Sequence, residues 1–187
     1  FITGGRAGQI MYFGTLVILI FQFFDNHKIK SLLAILILLP GIFYTAYQTS
    51  DLFHQRVEDV LNTAFAYQDN KGSSVGLRIT FAIYSWEIIK ENLIIGVGIG
   101  DFPKEYRNIN IVNTPQLTST TNPHSMYTLV LVQLGLLGFV SLLSIFYYEI
   151  KLSFLSKNKF IRDVGVALPL LFLLIMLSDS YLLGHYT

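Results

Sequence analysis

Four long apolar runs alternate with polar segments, and one polar stretch is far longer than the others. The first run, Ile10 to Phe24, has only Thr15 and Gln22 as polar positions. The small residues Thr3, Gly4, Gly5, Ala7 and Gly8 extend its helix back past Arg6, so a span over about 7–24 is expected with Arg6 in its outer end. Asp25 to Lys30 form a short polar hairpin. The second run, about 29–47, is interrupted by Pro40-Gly41, which predicts a kink that neighbouring helices accommodate inside a bilayer. These two helices are expected to pack as an antiparallel pair. The third run, Met126 to Tyr148, holds Gln133 as its only strongly polar residue. Its length of about 23 residues predicts a rod of about 34 Å, enough to cross the roughly 30 Å hydrocarbon layer. A fourth span is expected over 164–183, broken by Pro169. The predicted fold is all-α, a multi-spanning helical membrane protein with four transmembrane helices.

Residues 48–125 are too polar to sit in lipid but are patterned. Asp51 is placed to cap a helix whose apolar positions Phe53, Val57, Val60, Leu61 and Ala64 recur at helical spacing. A second amphipathic helix is expected over about 77–93, with Ile79, Ala82, Ile83, Trp86, Ile89 and Leu93 on its apolar face. Such helices lie along a membrane interface or cover a cavity. Gly96-Val-Gly-Ile-Gly100 reads as a glycine turn, Asp101-Phe-Pro-Lys-Glu as the capped start of a short helix with an early proline, and 108–121 as a mobile loop. Pro123, with no donor N–H, marks the start of the third span and leaves His124 at the membrane–water boundary.

Composition agrees with a membrane protein. Hydrophobic residues make up 52% and charged residues 13%, against about a quarter charged in soluble domains. The net charge of +1 and the scattering of the thirteen Lys and Arg give no basic face for phosphate backbones, so nucleic acid is not an expected partner. With no cysteine, disulfide frameworks, thiol catalysis and thiolate metal sites are excluded. The chain opens at Phe1 with no signal peptide visible, and reads as a single membrane domain over 1–187, a piece of a longer protein. Lys28, Lys30, Lys151, Lys157, Lys159 and Arg162 lie in the short loops 25–30 and 149–163, which are therefore expected on the cytoplasmic side. Residues 48–125, Arg6 and His124 then fall on the opposite face.

Three groups on that outer face are suited to an anionic ligand: Arg6, Arg78 and His124. Guanidinium forks match phosphate oxygens, so two of them can hold a diphosphate and stabilise charge developing on it as it leaves. An imidazole can take a proton from an attacking hydroxyl. The plainer readings are that both arginines snorkel to headgroups and that His124 caps a helix. Gly96-x-Gly-x-Gly lacks a preceding strand, so a tight turn is favoured over a dinucleotide site. His54 and Glu58 lie four apart with no third ligand in step, and no Asp-x-Asp pair is present, so no metal site is expected and arginines are the favoured counter-charge. Asp179, inside the fourth run near its outer end, is a functional candidate unless it simply reaches water. Trp86, Tyr84, Tyr106 and Tyr127 are placed to stack on sugar or to anchor the interface, anchoring being the simpler role.

Five segments carry a resemblance: Thr3-Gly-Gly-Arg-Ala-Gly; Gly76-Leu-Arg with Trp86 eight residues beyond the arginine; Gly96-Val-Gly-Ile-Gly-Asp-Phe; Pro123-His-Ser-x-Tyr; and Gln133-Leu-Gly-Leu-Leu-Gly. In order and spacing they resemble the C-terminal part of the O-antigen ligase family, with Ser125 where that family often has Asn. The resemblance implies catalytic roles for His124, Arg78 and Arg6, with Arg78 and Arg6 on the substrate; Trp86 and Tyr127 are the further substrate-contact candidates among the aromatic residues. It implies a metal-independent, inverting transfer, without a cofactor, of a glycan from an undecaprenyl-diphosphate carrier to an acceptor. That acceptor would be the lipid A core, or a growing polysaccharide if the chain is a polymerase of the same superfamily. The implied location is a bacterial inner membrane with the site facing the periplasm, in contact with membrane lipids. A transporter or flippase of the same lipid-linked glycan is the reading from a different class.

Overall fold

The structure, a computed structural model, describes residues 6–24 and 27–180, apart from the side chains of Arg6, Ala7 and Ala64. Thr3-Gly4-Gly5, Asp25 and the last three positions of the expected fourth span lie outside the described residues. The described chain is all-helical, with α1 (Arg6–Phe23), α2 (Lys28–Thr49), α3 (Asp51–Phe65), α4 (Ser74–Glu91), α5 (Phe102–Asn113), α6 (Met126–Leu155) and α7 (Lys159–Ile175). Two helices, α2 and α6, are long and apolar enough to cross a membrane by length and composition, and α1 is a shorter apolar helix. The helix of the fourth run stops at Ile175. The chain divides into two compact units, Phe1–Ala64 with Glu149–Ile175, and Phe65–Tyr148 with Met176–Thr187.

In the first unit α1 packs against both α2 and α7. Gly14 lets α1 approach α7, since a Cβ there would strike the Leu174 side chain, and the Gln22 amide donates to the Asp163 carbonyl at 2.7 Å. Gly14 with Leu174 and Gln22 with Asp163 run in opposite chain directions, so the pair is antiparallel. The α2 helix continues through Pro40, and Leu32, Leu33, Leu36 and Ile37 along it are exposed, as side chains facing acyl chains would be. Ser50, not Asp51, caps α3: its hydroxyl accepts from the Phe53 N–H at 3.3 Å and its carbonyl from His54 at 2.9 Å. Asp51 is the first helical residue instead, where its charge suits the helix dipole. His54 stacks on Tyr47 at 4.2 Å, and the Tyr47 hydroxyl donates to Glu58 at 2.9 Å, so both members of the discounted metal pair tie α3 to α2.

In the second unit α4 begins at Ser73, whose hydroxyl accepts from the Gly76 N–H at 3.0 Å. On the apolar face expected from periodicity Ala82, Ile83 and Trp86 are exposed, as side chains lying along an interface would be, while Thr80, Phe81, Tyr84, Ser85 and Ile88 are buried together with Ile89. The helix is apolar on both sides, so periodicity alone could not choose between them. The stretch expected to be a loop from Asn108 is helical to Asn113, because α5 buries Phe102, Tyr106 and Asn110 at i, i+4 and i+8. Asn110 is held at its end by accepting from Thr114 at 3.0 Å and donating to the Leu117 carbonyl at 2.9 Å. Tyr84 of α4 donates to Thr114 at 3.2 Å. Asp101 stands at the cap position of α5 without a side-chain cap bond, and Pro103 falls in its first turn as expected.

The largest departure from expectation is in α6, which is not a straight rod. Gly135 has φ 61° and ψ −160°, outside helical space. An intact helix would bond the N–H groups of Leu136 and Leu137 to the carbonyls of Val132 and Gln133. Here the Leu93–Gly98 turn enters the opened rungs and satisfies both halves. Val97 and Gly98 donate to Val132 and Gln133 at 2.8 and 3.0 Å, while Leu136 and Leu137 donate to Leu93 and Ile94 at 2.9 and 3.3 Å. Glycine is required on both sides of this seam. A Cβ on Gly96 would run into the Gln133 carbonyl, one on Gly135 would run into the Ile94 carbonyl, and both residues have positive φ. The two arms, Met126–Leu134 and Leu136–Leu155, close toward each other. The rings of Tyr127 and Phe139 are 6.0 Å apart, whereas twelve residues of straight helix span about 18 Å, more than the two side chains can bridge.

Candidate functional site

The second unit gathers its polar chemistry around His124. Asn122, Pro123 and His124 form the turn before α6. The Asn122 side chain accepts from the His124 N–H at 2.9 Å, while the Asn122 N–H and carbonyl are both bonded to the Thr120 hydroxyl. This local network holds His124 at φ 53°, the one positive φ at a non-glycine among the described residues. Such a conformation costs energy for a residue with a side chain and is often found where geometry serves function. Ser125 then caps α6, its hydroxyl accepting from Thr128 at 3.4 Å and its carbonyl from Leu129 at 3.0 Å.

The imidazole is fixed from two sides. Phe81 of α4 stacks on it nearly parallel, ring centres 5.8 Å apart and planes 21° apart. Phe81 is itself held edge-on by the fully buried Tyr106 at 5.7 Å, and Tyr106 packs on Tyr84 and Phe102. On the other side Nδ1 lies 3.3 Å from Oδ1 of Asp179. Nδ1 is buried and meets no hydrogen-bond geometry, so the contact is electrostatic and off-axis rather than a formed hydrogen bond. Asp179 is anchored by accepting from Asn122 at 3.2 Å and from the Ser180 N–H at 2.8 Å, and the Met126 N–H donates to the Met176 carbonyl at 2.9 Å. Asn122 thus touches both His124 and Asp179. Nε2 makes no hydrogen bond among the described residues, and the side chain is 36% exposed.

Arg78 is exposed and has no hydrogen bond or ion pair among the described residues. It sits three residues before Phe81, on a neighbouring position of α4. Trp86, 55% exposed, is five residues past Phe81 and so points about 140° away around α4. Tyr127 is half-buried against Phe139 of the other α6 arm. Arg6 opens α1 in the first unit, and its side chain lies outside the described residues. Burial, and then the charges of Tyr84 and Tyr67, push the Tyr106 hydroxyl far above its ordinary value, so it stays neutral as part of the support for Phe81.

The structure therefore brings His124 together with Asp179, Asn122 and Phe81. Phe81 and Asn122 were not among the expected site residues. A phenylalanine in an apolar helix carries no signal of its own, whereas Asn122-Pro123 before a histidine is a recognisable turn pattern. Such an arrangement, with a carboxylate facing Nδ1, suits proton transfer at Nε2. No curated protein matches the chain. Residues 1–143 match the O-Antigen ligase family. The matched region includes Arg6, Arg78, His124 and the Gly96–Gly135 seam, and the protein belongs to the O-antigen ligase family of membrane glycan transferases.

Proposed function

We propose that this chain transfers a glycan from an undecaprenyl-diphosphate carrier to an acceptor hydroxyl, with inversion and without a metal. The observation that carries the reading is the imidazole of His124, held between Phe81 and Asp179, with no hydrogen bond at Nε2 among the described residues. In this reading Nε2 removes the acceptor hydroxyl proton as the oxygen attacks the anomeric carbon. The bond from that carbon to the diphosphate oxygen breaks, and the lipid diphosphate leaves with the bonding electrons. Arg78 and Arg6 neutralise the charge that develops on it. Asp179 stabilises the imidazolium formed in the step, and Trp86 and Tyr127 contact sugar. The site faces the periplasmic side of the inner membrane, with α1 and α7 as two further membrane-embedded helices beside α2 and α6.

The test is transfer by purified full-length protein, given lipid-diphosphate glycan with either lipid A core or a polysaccharide end as acceptor, in the presence of EDTA. Transfer that survives EDTA and is lost in His124→Ala, a protein that still inserts, is the expected result; the loss should be about 10²–10⁴-fold. Full transfer in that variant removes the role of His124. Movement of the lipid-linked glycan across the bilayer without transfer would mark a transporter. The acceptor that is consumed separates ligation from polymerisation.

A further inference from the structure

The break in α6 leads to an inference that does not depend on the transfer reaction, only on the membrane location of the family. No charged residue occurs from Leu93 to Gly100. Within that stretch Leu93, Ile94, Ile95 and Ile99 are exposed by 44, 64, 73 and 80%. Four large aliphatic side chains on one short loop are a poor surface for water. The same loop is bonded through its backbone to the centre of an apolar helix, at Val132, Gln133, Leu136 and Leu137. Irregular backbone at membrane depth is tolerated only where its polar groups are satisfied by protein, and this seam supplies that satisfaction.

We propose that the loop is a re-entrant element, dipping from the water boundary into the acyl chains of the bilayer, with Leu93, Ile94, Ile95 and Ile99 in direct contact with lipid. Two independent lengths set its depth. The first arm of α6, nine residues from Met126 to Leu134, places the seam about 13 Å below His124. From the charged Glu91 to Ile94, three residues reach at most about 10 Å. Both fall within the outer half of a hydrocarbon layer about 30 Å thick. They agree whether the second arm crosses the membrane or turns back, because the apolar stretch continues from Gly135 to Tyr148 in either case. The glycines at 96 and 135 then act to join a loop to a broken helix inside lipid, rather than to hold a phosphate.

The experiment is spin labelling of full-length protein in liposomes, with any cysteine outside these 187 residues replaced by serine. Labels go on Ile95→Cys and Ile99→Cys, both exposed positions, with exposed Lys104→Cys on α5 as the aqueous reference. Collision with oxygen, which concentrates in lipid, should exceed collision with a water-soluble nickel chelate at both loop sites, reversing the ratio at Lys104. Nickel access at either loop site matching that at Lys104 would place the loop in water and overturn the proposal. Protection from both reagents would overturn it too, since the loop would then be covered by protein.

Discussion

Nδ1 of His124 faces Oδ1 of Asp179 at 3.3 Å, across a turn whose Asn122 is bonded to both residues. The contact does not meet hydrogen-bond geometry. Replacing Asp179 with Asn keeps the size and the bond from Asn122 possible but removes the charge that stabilises an imidazolium. Asp179→Asn is therefore expected to lower kcat with little change in KM, and to leave more activity than His124→Ala. Unchanged kcat would show that the contact only supports the turn.

Arg78 is exposed and without a partner among the described residues, so a stability role is not expected of it. Arg78→Lys should melt like the parent protein in detergent yet transfer poorly, because a point charge cannot reproduce a flat fork of donors. Parental transfer rates in Arg78→Lys would argue against bidentate binding of diphosphate.

At the seam, Gly96→Ala and Gly135→Ala each combine positive φ with a Cβ directed into carbonyl backbone. Each should cost about 1–3 kcal/mol or more, read as a lower melting temperature. Gly100 also has positive φ but nothing lies within reach of a Cβ there. Gly100→Ala should therefore cost only the backbone term, about 1–2 kcal/mol. Equal losses at the three positions would mean that the close approach contributes nothing.

Tyr106 is raised far above the ordinary tyrosine range, mainly by burial. An unfolded tyrosine ionises near pH 10, whereas the folded one stays protonated. The stabilising difference is thus intact below about pH 10 and is lost as pH climbs above it, because only the unfolded state releases the proton. Tyr106→Phe should make the fall of melting temperature above pH 10 shallower. Parallel curves for the two proteins would contradict this.

The existence of the helices, the helix start just after His124 and the glycine turn from Gly96 were legible in the sequence, because each depends on neighbours in the chain: apolar runs, Pro123, a polar stretch beginning at Gln48. The helix ends were less so, since α6 continues to Leu155 and α7 stops at Ile175. Three features were not. The sequence did not choose which side of α4 is buried, because Ile79, Ala82, Ile83 and Trp86 are as apolar as Phe81, Tyr84 and Ile88, and only the packing of Tyr106 and His124 selects between them. The break at Gly135 looked like one glycine in a membrane helix, since the turn that opens its rungs comes from a distant part of the chain. Asp179 could be singled out as an ionisable group in an apolar run, but its meeting with His124 rests on contacts between the end of the chain and the turn before α6. Local chemistry is written along the chain, whereas partners joined by long-range backbone bonds and buried charges are chosen only when the helices pack.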